Sequence, residues 1–233
     1  MKLKGKVALI TGASSGIGKA IAERFAEEGA SLALVARRAA PLRALSLALK
    51  PARTLAFPLD VSDEVAVGTL VEEATRRLGG LHILVNAAGG PLFKRLDSMS
   101  LTEWETLMAV HLRGLFLCCR AALPYLTRQG GDIVNISSAA ALRGYPRSSA
   151  YSAAKAGVLG FSKALAAELK PRGVRVTALS LGSVDTPFFD RAPKPLPRDK
   201  MLRPEEVAEL ALFIVSQPRG VEIEELKALP GWR

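Results

Sequence analysis

Two rhythms of apolar residues take turns along this chain. Short, mostly apolar runs, as strands buried on both faces require, stand at 6–11, 31–35, 54–59, 82–85, 132–137 and 174–179. Between them lie stretches whose apolar residues recur three and four apart, the period of a helix with one face in a core. These cover 19–28, 62–78, about 102–128, 149–169 and 204–217. Gly29 and Gly79-Gly80 end two of the helices. Ser62 is placed to cap one, with Asp63 and Glu64 in its first turn. Pro124 marks a kink or early stop in the long 102–128 helix. Residues 182–200, rich in proline and charge, read as a loop, and 221–229 as a short final strand. Strand and helix alternate, which predicts an α/β fold: one doubly wound parallel sheet with helices on both faces. No repeat or linker divides residues 1–233, so a single domain is expected. Ligands of such a sheet bind beyond the carboxyl ends of its strands. The segments 12–18, 36–38, 60–61, 86–89, 137–138 and 182–186 all fall there.

Composition sharpens this picture. Hydrophobic residues make up 49%, enough for a full core and against disorder. A formal net charge of +10 raises nucleic acid as a partner. The 32 basic residues are scattered, however, with no block of five and no aromatic interleaving, so no nucleic-acid partner is expected. Anionic cofactors and substrates are another cause of basic charge. Excess arginine with only two Asn and two Gln also suits a heat-adapted protein. No apolar run reaches the ~18 residues of a membrane span. The basic N-terminus has no long apolar core or cleavage site. A cytosolic protein with no membrane partner is expected. Cys118 and Cys119 are neighbours in an apolar stretch and read as small core residues. No metal-ligand spacing exists, so no metal is expected.

Two local patterns carry chemistry. In Tyr151-Ser152-Ala153-Ala154-Lys155 the phenol and the ammonium are four apart, which puts both on one helix face. A phenol titrates near ~10, and a nearby cation favours the phenolate. That suits a general acid/base. The second pattern is Gly12-Ala13-Ser14-Ser15-Gly16-Ile17-Gly18, between a strand and a helix. Glycines there let a pyrophosphate approach the backbone, and the helix start offers unpaired N–H groups.

Thr11-Gly12-x-x-x-Gly16-x-Gly18, Asn86-Ala87-Ala88-Gly89, and Ser138 thirteen residues before Tyr151-x-x-x-Lys155 together resemble the short-chain dehydrogenase/reductases over nearly the whole chain. The resemblance implies a Rossmann-like domain that binds a nicotinamide dinucleotide. Gly12, Ser14, Ser15, Gly16, Ile17 and Gly18 then form the phosphate turn. In such proteins the residue ending the second strand selects the cofactor, and this chain has Arg37 and Arg38 there with no carboxylate. Guanidinium groups bind phosphate bidentately, so NADP(H) is expected ahead of NAD(H). By the same resemblance Asp60 and Val61 flank the adenine, and Asn86, Ala88 and Gly89 line the adenosine and central ribose. Tyr151 and Lys155 reach the nicotinamide ribose, and Thr186 with the Val184 backbone holds the carboxamide.

The implied reaction is hydride transfer between nicotinamide and a small carbonyl or secondary alcohol substrate. Ser138 binds the carbonyl oxygen, Tyr151 moves the proton, and Lys155 lowers the Tyr151 pKa. Ser137, the neighbouring hydroxyl, is expected to be dispensable. His111 stands where the family has an asparagine that holds a water. Three readings are open: His111 holds that water with a charge that changes near neutral pH, or the relay is broken, or His111 is only a packed residue. Pro91, Leu92, Phe93, Leu142, Tyr145, Phe188 and Phe189 give an apolar substrate pocket. Lys94, Arg95, Arg143, Arg147 and Arg191 are candidates to meet an anionic group. Family members commonly pair through the helices that fall here at about 102–128 and 150–169, so a homodimer or homotetramer is expected. An epimerase or dehydratase lacks room for its extra domain. A catalytically impaired dinucleotide-binding regulatory or scaffold protein is the alternative.

Overall fold

A computed structural model describes residues 1–193 and 196–231. Lys194 and Pro195 of the predicted loop lie outside the described residues. The strands are β1 (Val7–Thr11), β2 (Ser31–Ala36), β3 (Thr54–Pro58), β4 (Ile83–Asn86), β5 (Asp132–Ser138), β6 (Arg175–Leu181) and β7 (Glu225–Ala228). They form one sheet in the order β3-β2-β1-β4-β5-β6-β7, every pair parallel. β1, β4 and β6 are buried at every position, β6 with Arg175, Thr177 and Ser180 among its residues.

Alternate residues of a strand face opposite sides of a sheet, and two cores follow. Ala8 and Ile10 of β1 pack with Leu32 and Leu34 of β2 under α1 (Gly16–Glu27), α2 (Ala39–Ala48) and α7 (Pro204–Val215). Val7 and Leu9 join Ala33 and Val35 in the other core. That core lies under α3 (Glu64–Leu78), α5 (Gly114–Leu126) and α6 (Ser149–Leu169). From β1 the chain winds outward to β3, then crosses back to lay β4 on the other side of β1. The reversal opens a crevice at the carboxyl ends of β1 and β4, the place where such sheets bind ligands.

Several expectations need correction. Helix α2 was not anticipated. Arg37 and Arg38 precede it and Pro41 sits in its first turn, where a missing N–H costs little; those residues hide the helical period. Asp63, not Ser62, caps α3, its carboxylate accepting from the Ala66 N–H at 3.0 Å. Ser62 instead gives its hydroxyl to Asp60 at 2.7 Å. The single long helix is two, α4 (Leu101–Met108) and α5, joined by a wider π turn over Ala109–Arg113. Pro124 lies inside α5 and does not stop it short of Leu126. By length and composition alone, Leu101–Leu126 would cross a membrane, with a mean hydropathy of 1.4 over its most apolar window. Here Leu107 packs against Ala150 and Ala154 of α6, while Leu115, Leu117, Cys118, Cys119 and Ala122 enter the core against α3 and the sheet.

Candidate active site

At the crevice, Thr11 ties two strand ends together. Its hydroxyl oxygen accepts from the N–H groups of Ala87 and Ala88, both at 3.1 Å. The turn that follows is too tight for side chains. A Cβ on Gly12 would lie 2.6 Å from the Ala87 carbonyl oxygen, and one on Gly18 would lie 2.5 Å from that of Gly12. Gly12 and Gly16 also hold φ of 71° and 53°, where glycine is favoured. Helix α1 begins here with no side chain capping its first amides, which leaves donors for an anion.

A cleft of about 670 Å³ runs from this turn. Gly12, Ser14, Ser15, Gly16, Ile17 and Gly18 line its floor. Arg37, Arg38, Asp60 and Val61 line one end, and Ala88, Gly89, Thr186, Phe188 and Arg191 the other side. Arg37 lies 3.9 Å from Asp60 and is 72% exposed. Burial pushes the Asp60 carboxyl up, but hydrogen bonds from Ser62 and the Arg37 charge more than offset this and hold it below its usual value. A larger hollow, about 980 Å³, opens beside the amino ends of the strands between α1 and α7. It contains none of the glycine-turn or Tyr–Lys chemistry.

Beyond the cleft, Ser138 ends β5 and faces α6, which carries Tyr151 and Lys155 one turn apart. The Ser138 hydroxyl oxygen accepts from the Ala140 N–H at 3.1 Å and stands beside the Tyr151 phenol. Burial pushes the phenol up to about 12, and the neighbouring Ser138 hydroxyl works against that rise. Lys155 is buried; its Nζ lies 5.8 Å from the centre of the Tyr151 ring and donates to the Ile136 carbonyl at 2.7 Å. Burial draws its pKa down to about 8. The ammonium is thus bonded to the backbone rather than to the phenol, and the phenol stays high, contrary to the expected lowering. Ser137 gives its hydroxyl to the Lys155 carbonyl at 3.1 Å and is fully engaged in the core.

His111 sits in the π turn, 4% exposed. Its Nε2 lies 3.2 Å from the Gly90 nitrogen and 3.0 Å from the Gly90 oxygen. Its ring meets the Tyr151 ring edge-on at 5.6 Å. Burial first, then the Lys155 charge, draws its pKa down to about 3. His111 is therefore neutral at physiological pH, which corrects the reading of a charge that changes there. Its Nδ1 is buried without a partner. Beside it a cavity of about 10 Å³ is bounded by Thr11, Asn86, His111, Ile136 and Lys155, about the space of one water. The imidazole fits only because residue 89 is glycine: a Cβ there would lie 2.5 Å from His111 Cε1.

Residues 6–196 match the family model of the short chain dehydrogenases. The chain belongs to that family. It is 36% identical to an uncharacterized oxidoreductase of Staphylococcus aureus, over 98% of both chains. A crystal structure of a short chain dehydrogenase from Burkholderia cenocepacia in complex with NADP superposes with a TM-score of 0.91, at 32% identity and over 99% of each chain. A 3-ketoacyl-(acyl-carrier-protein) reductase from Brucella melitensis complexed with NADH also superposes at 0.91, with 34% identity and 98% of each chain covered. This short-chain dehydrogenase is accordingly an oxidoreductase.

One expected cofactor contact is not placed as foreseen. Asn86 does not line the cleft. Its Nδ2 turns inward to Asn135 Oδ1 at 2.9 Å and to Cys119 Sγ at 3.4 Å. Asn135 passes the chain of bonds to Ser162 at 2.9 Å. The Val184 side chain is buried in the core, and the bridge to Leu202 is made by its neighbours Ser183 and Asp185. Thr186 does reach the wall, over Gly16, and donates to the Val184 carbonyl at 3.3 Å. Among the basic candidates only Arg191 lines the cleft. Lys94 is paired with Glu103 and Arg95 with Asp97, while Arg143 lies over the Tyr145 ring. Thr11, Asn135 and Ser162 were missed as site residues. A lone Asn inside the apolar run 132–137 was the available signal.

Proposed function

We propose that this enzyme uses NADP(H) to interconvert a small carbonyl compound and its secondary alcohol, with Tyr151 as general acid/base. The observation that carries the reading is the meeting of Ser138, Tyr151 and Lys155 beyond a cleft floored by a side-chain-free glycine turn. The residues present fit the dinucleotide. Uncapped amides of α1 suit the pyrophosphate, and Asp60, Val61, Ala88, Gly89 and Thr186 wall the remainder. Arg37 and Arg38 favour a 2′-phosphate, since both line the cleft and β2 ends without a carboxylate. The Burkholderia relative holds NADP and the Brucella one NADH, so the two arginines and not the likeness decide between them.

When bound, the dinucleotide supplies or accepts the hydride. The protein's part is orientation and the proton. Ser138 donates a hydrogen bond to the carbonyl oxygen as negative charge develops on it. Tyr151 delivers its phenolic proton to that oxygen in reduction and takes it back in oxidation. Lys155 keeps a cation near the phenol. A water in the small cavity that Lys155 and His111 both line would complete the path by which the phenol is reprotonated. Neutral His111 serves as its acceptor.

The same domain holds cofactor and substrate, with residues 183–202 as the substrate loop. Pairing through the α4–α5 and α6 helices gives a homodimer or homotetramer. Two buried unpaired thiols suit a reducing compartment, so we place the enzyme in the cytosol. The test is a panel of ketones, hydroxy acids and sugars assayed with NADPH and with NADH. Turnover with a clear NADPH preference is expected, and preference for NADH overturns the cofactor assignment. Tight dinucleotide binding with no turnover would favour a sensor, a reading whose support is the replacement of asparagine by His111.

A further inference from the structure

Arg198 holds the wall at the substrate end through three hydrogen bonds. Its Nη1 donates to Asp185 Oδ1 and to the Thr186 carbonyl, each at 2.8 Å, and its Nη2 donates to Asp190 Oδ1 at 2.6 Å. Those partners flank the single turn Pro187–Arg191 at its start and near its end. The turn presents Phe188, whose ring centre lies 5.4 Å from that of Tyr151 and 5.7 Å from that of Phe93.

The base of this loop is secured separately. Asp185 N–H bonds the Leu202 carbonyl at 2.8 Å, and Leu202 N–H bonds that of Ser183 at 3.0 Å. Beyond Thr186, the described residues hold the turn by its own internal bonds, by ring contacts and by Arg198. Single exposed ion pairs contribute little. Three bonds on one planar fork share a single ordering cost and act together.

We infer that Arg198 is a positioning residue that latches the 187–191 turn as an aromatic wall over Tyr151, and so sets the affinity for carbonyl compounds bearing a flat apolar group. The inference rests on Tyr151 being the acid/base. Arg198 touches neither the phenol nor the cleft. Without the latch the turn is closed only part of the time, and apparent affinity falls by that fraction.

The test uses the full chain with Arg198→Ala, Arg198→Lys, Phe188→Ala and the Arg198→Ala/Phe188→Ala pair, assayed with the best aryl or alkyl ketone of the panel. Arg198→Ala is expected to raise the ketone KM about 5- to 20-fold, with kcat within about twofold and the NADPH Kd raised by a smaller factor than the KM. Arg198→Lys recovers part of the loss. In the Phe188→Ala background, Arg198→Ala adds nothing, because the two residues act through one wall. Amide exchange over 188–192 in the resting protein quickens in Arg198→Ala. Additive KM effects, an equal weakening of NADPH, or unchanged exchange would each overturn the latch. Exchange is read without turnover. A wild-type protein that reduces nothing, yet shows the quickened exchange in the variant, sinks the enzymatic reading and leaves the latch standing.

Discussion

Asn86 donates a 2.9 Å hydrogen bond to Asn135, and these are the only two asparagines in the chain. The pair joins the end of β4 to the middle of β5, and Asn135 extends it to Ser162 of α6. The helix that carries Tyr151 and Lys155 is thereby fixed to the sheet by a polar strut inside an apolar core. A buried amide that loses its partner keeps its full desolvation cost. Asn135→Ala should lower stability by about 1–3 kcal/mol, read as the midpoint of denaturant unfolding. An unchanged midpoint would mean that the strut carries no load.

Ser138 and Ser137 are neighbours with different partners, and alanine should separate them. Ser138→Ala removes the hydroxyl beside Tyr151 and should cut kcat/KM by about 10²- to 10³-fold. Ser137→Ala loses one buried bond to the Lys155 carbonyl. It should cost about 1 kcal/mol of stability and leave most of the activity. Steady-state kinetics on both variants decide the assignment, and a reversed order would move the active hydroxyl to Ser137.

The exposed Arg37 should act on cofactor choice rather than on the fold. Hydrogen bonds to charged groups are worth about 1.5–3 kcal/mol, some 10- to 100-fold. Arg37→Glu should therefore raise the KM for NADPH by at least about tenfold while changing that for NADH little. Equal losses with both cofactors would remove Arg37 from the phosphate.

The direction of reaction should show in the pH profile. With the phenol pushed up to about 12, Tyr151 is protonated and ready to donate through neutral pH. Carbonyl reduction should be flat up to about pH 8 and decline above it, as Lys155, drawn to about 8, loses its charge. Alcohol oxidation needs the phenolate and should gain with rising pH. Oxidation that falls as pH rises would rule out the phenol as its base.

His111 should register in acid stability, not in activity near pH 7. Its folded pKa is about 3 against 6.5 for the free side chain. Between those values the unfolded chain binds a proton that the folded chain refuses. Stability from this group is present above about 6.5 and is lost as pH falls toward 3, by at most about 1.4 kcal/mol per pH unit. His82 is lowered too, first by burial, and adds in the same direction. In His111→Asn the acid loss should shrink while the pH profile from 6 to 8 stays unchanged, as about two pH units of kinetic data can establish. A kinetic pKa near 6.5 that vanishes in this variant would contradict a neutral His111.

The sheet was legible because strands buried on both faces leave mostly apolar residues in their runs, and the glycine turn because only glycine tolerates such close backbone contact. Spacing put Tyr151 and Lys155 on one face, and the fold brought Ser138 to them from β5. Side-chain direction was not legible. Asn86 turned inward because a second asparagine waited on the neighbouring strand, forty-nine residues away. The Asp63 cap was hidden by an adjacent serine whose hydroxyl preferred Asp60. The π turn left no mark in the hydrophobic period, because apolar residues surround it.

That turn lets one stretch of chain serve two surfaces. An extra residue in a helical turn rotates everything after it by about 100°. Leu107 before the turn can therefore look toward the start of α6, while Leu117 and Cys118 after it look into the sheet-side core. Removing one residue from 109–113 would let the ladder close as an ordinary helix and swing one of those stripes toward water. The splice that aims the imidazole is thus also what keeps both halves of this helix buried.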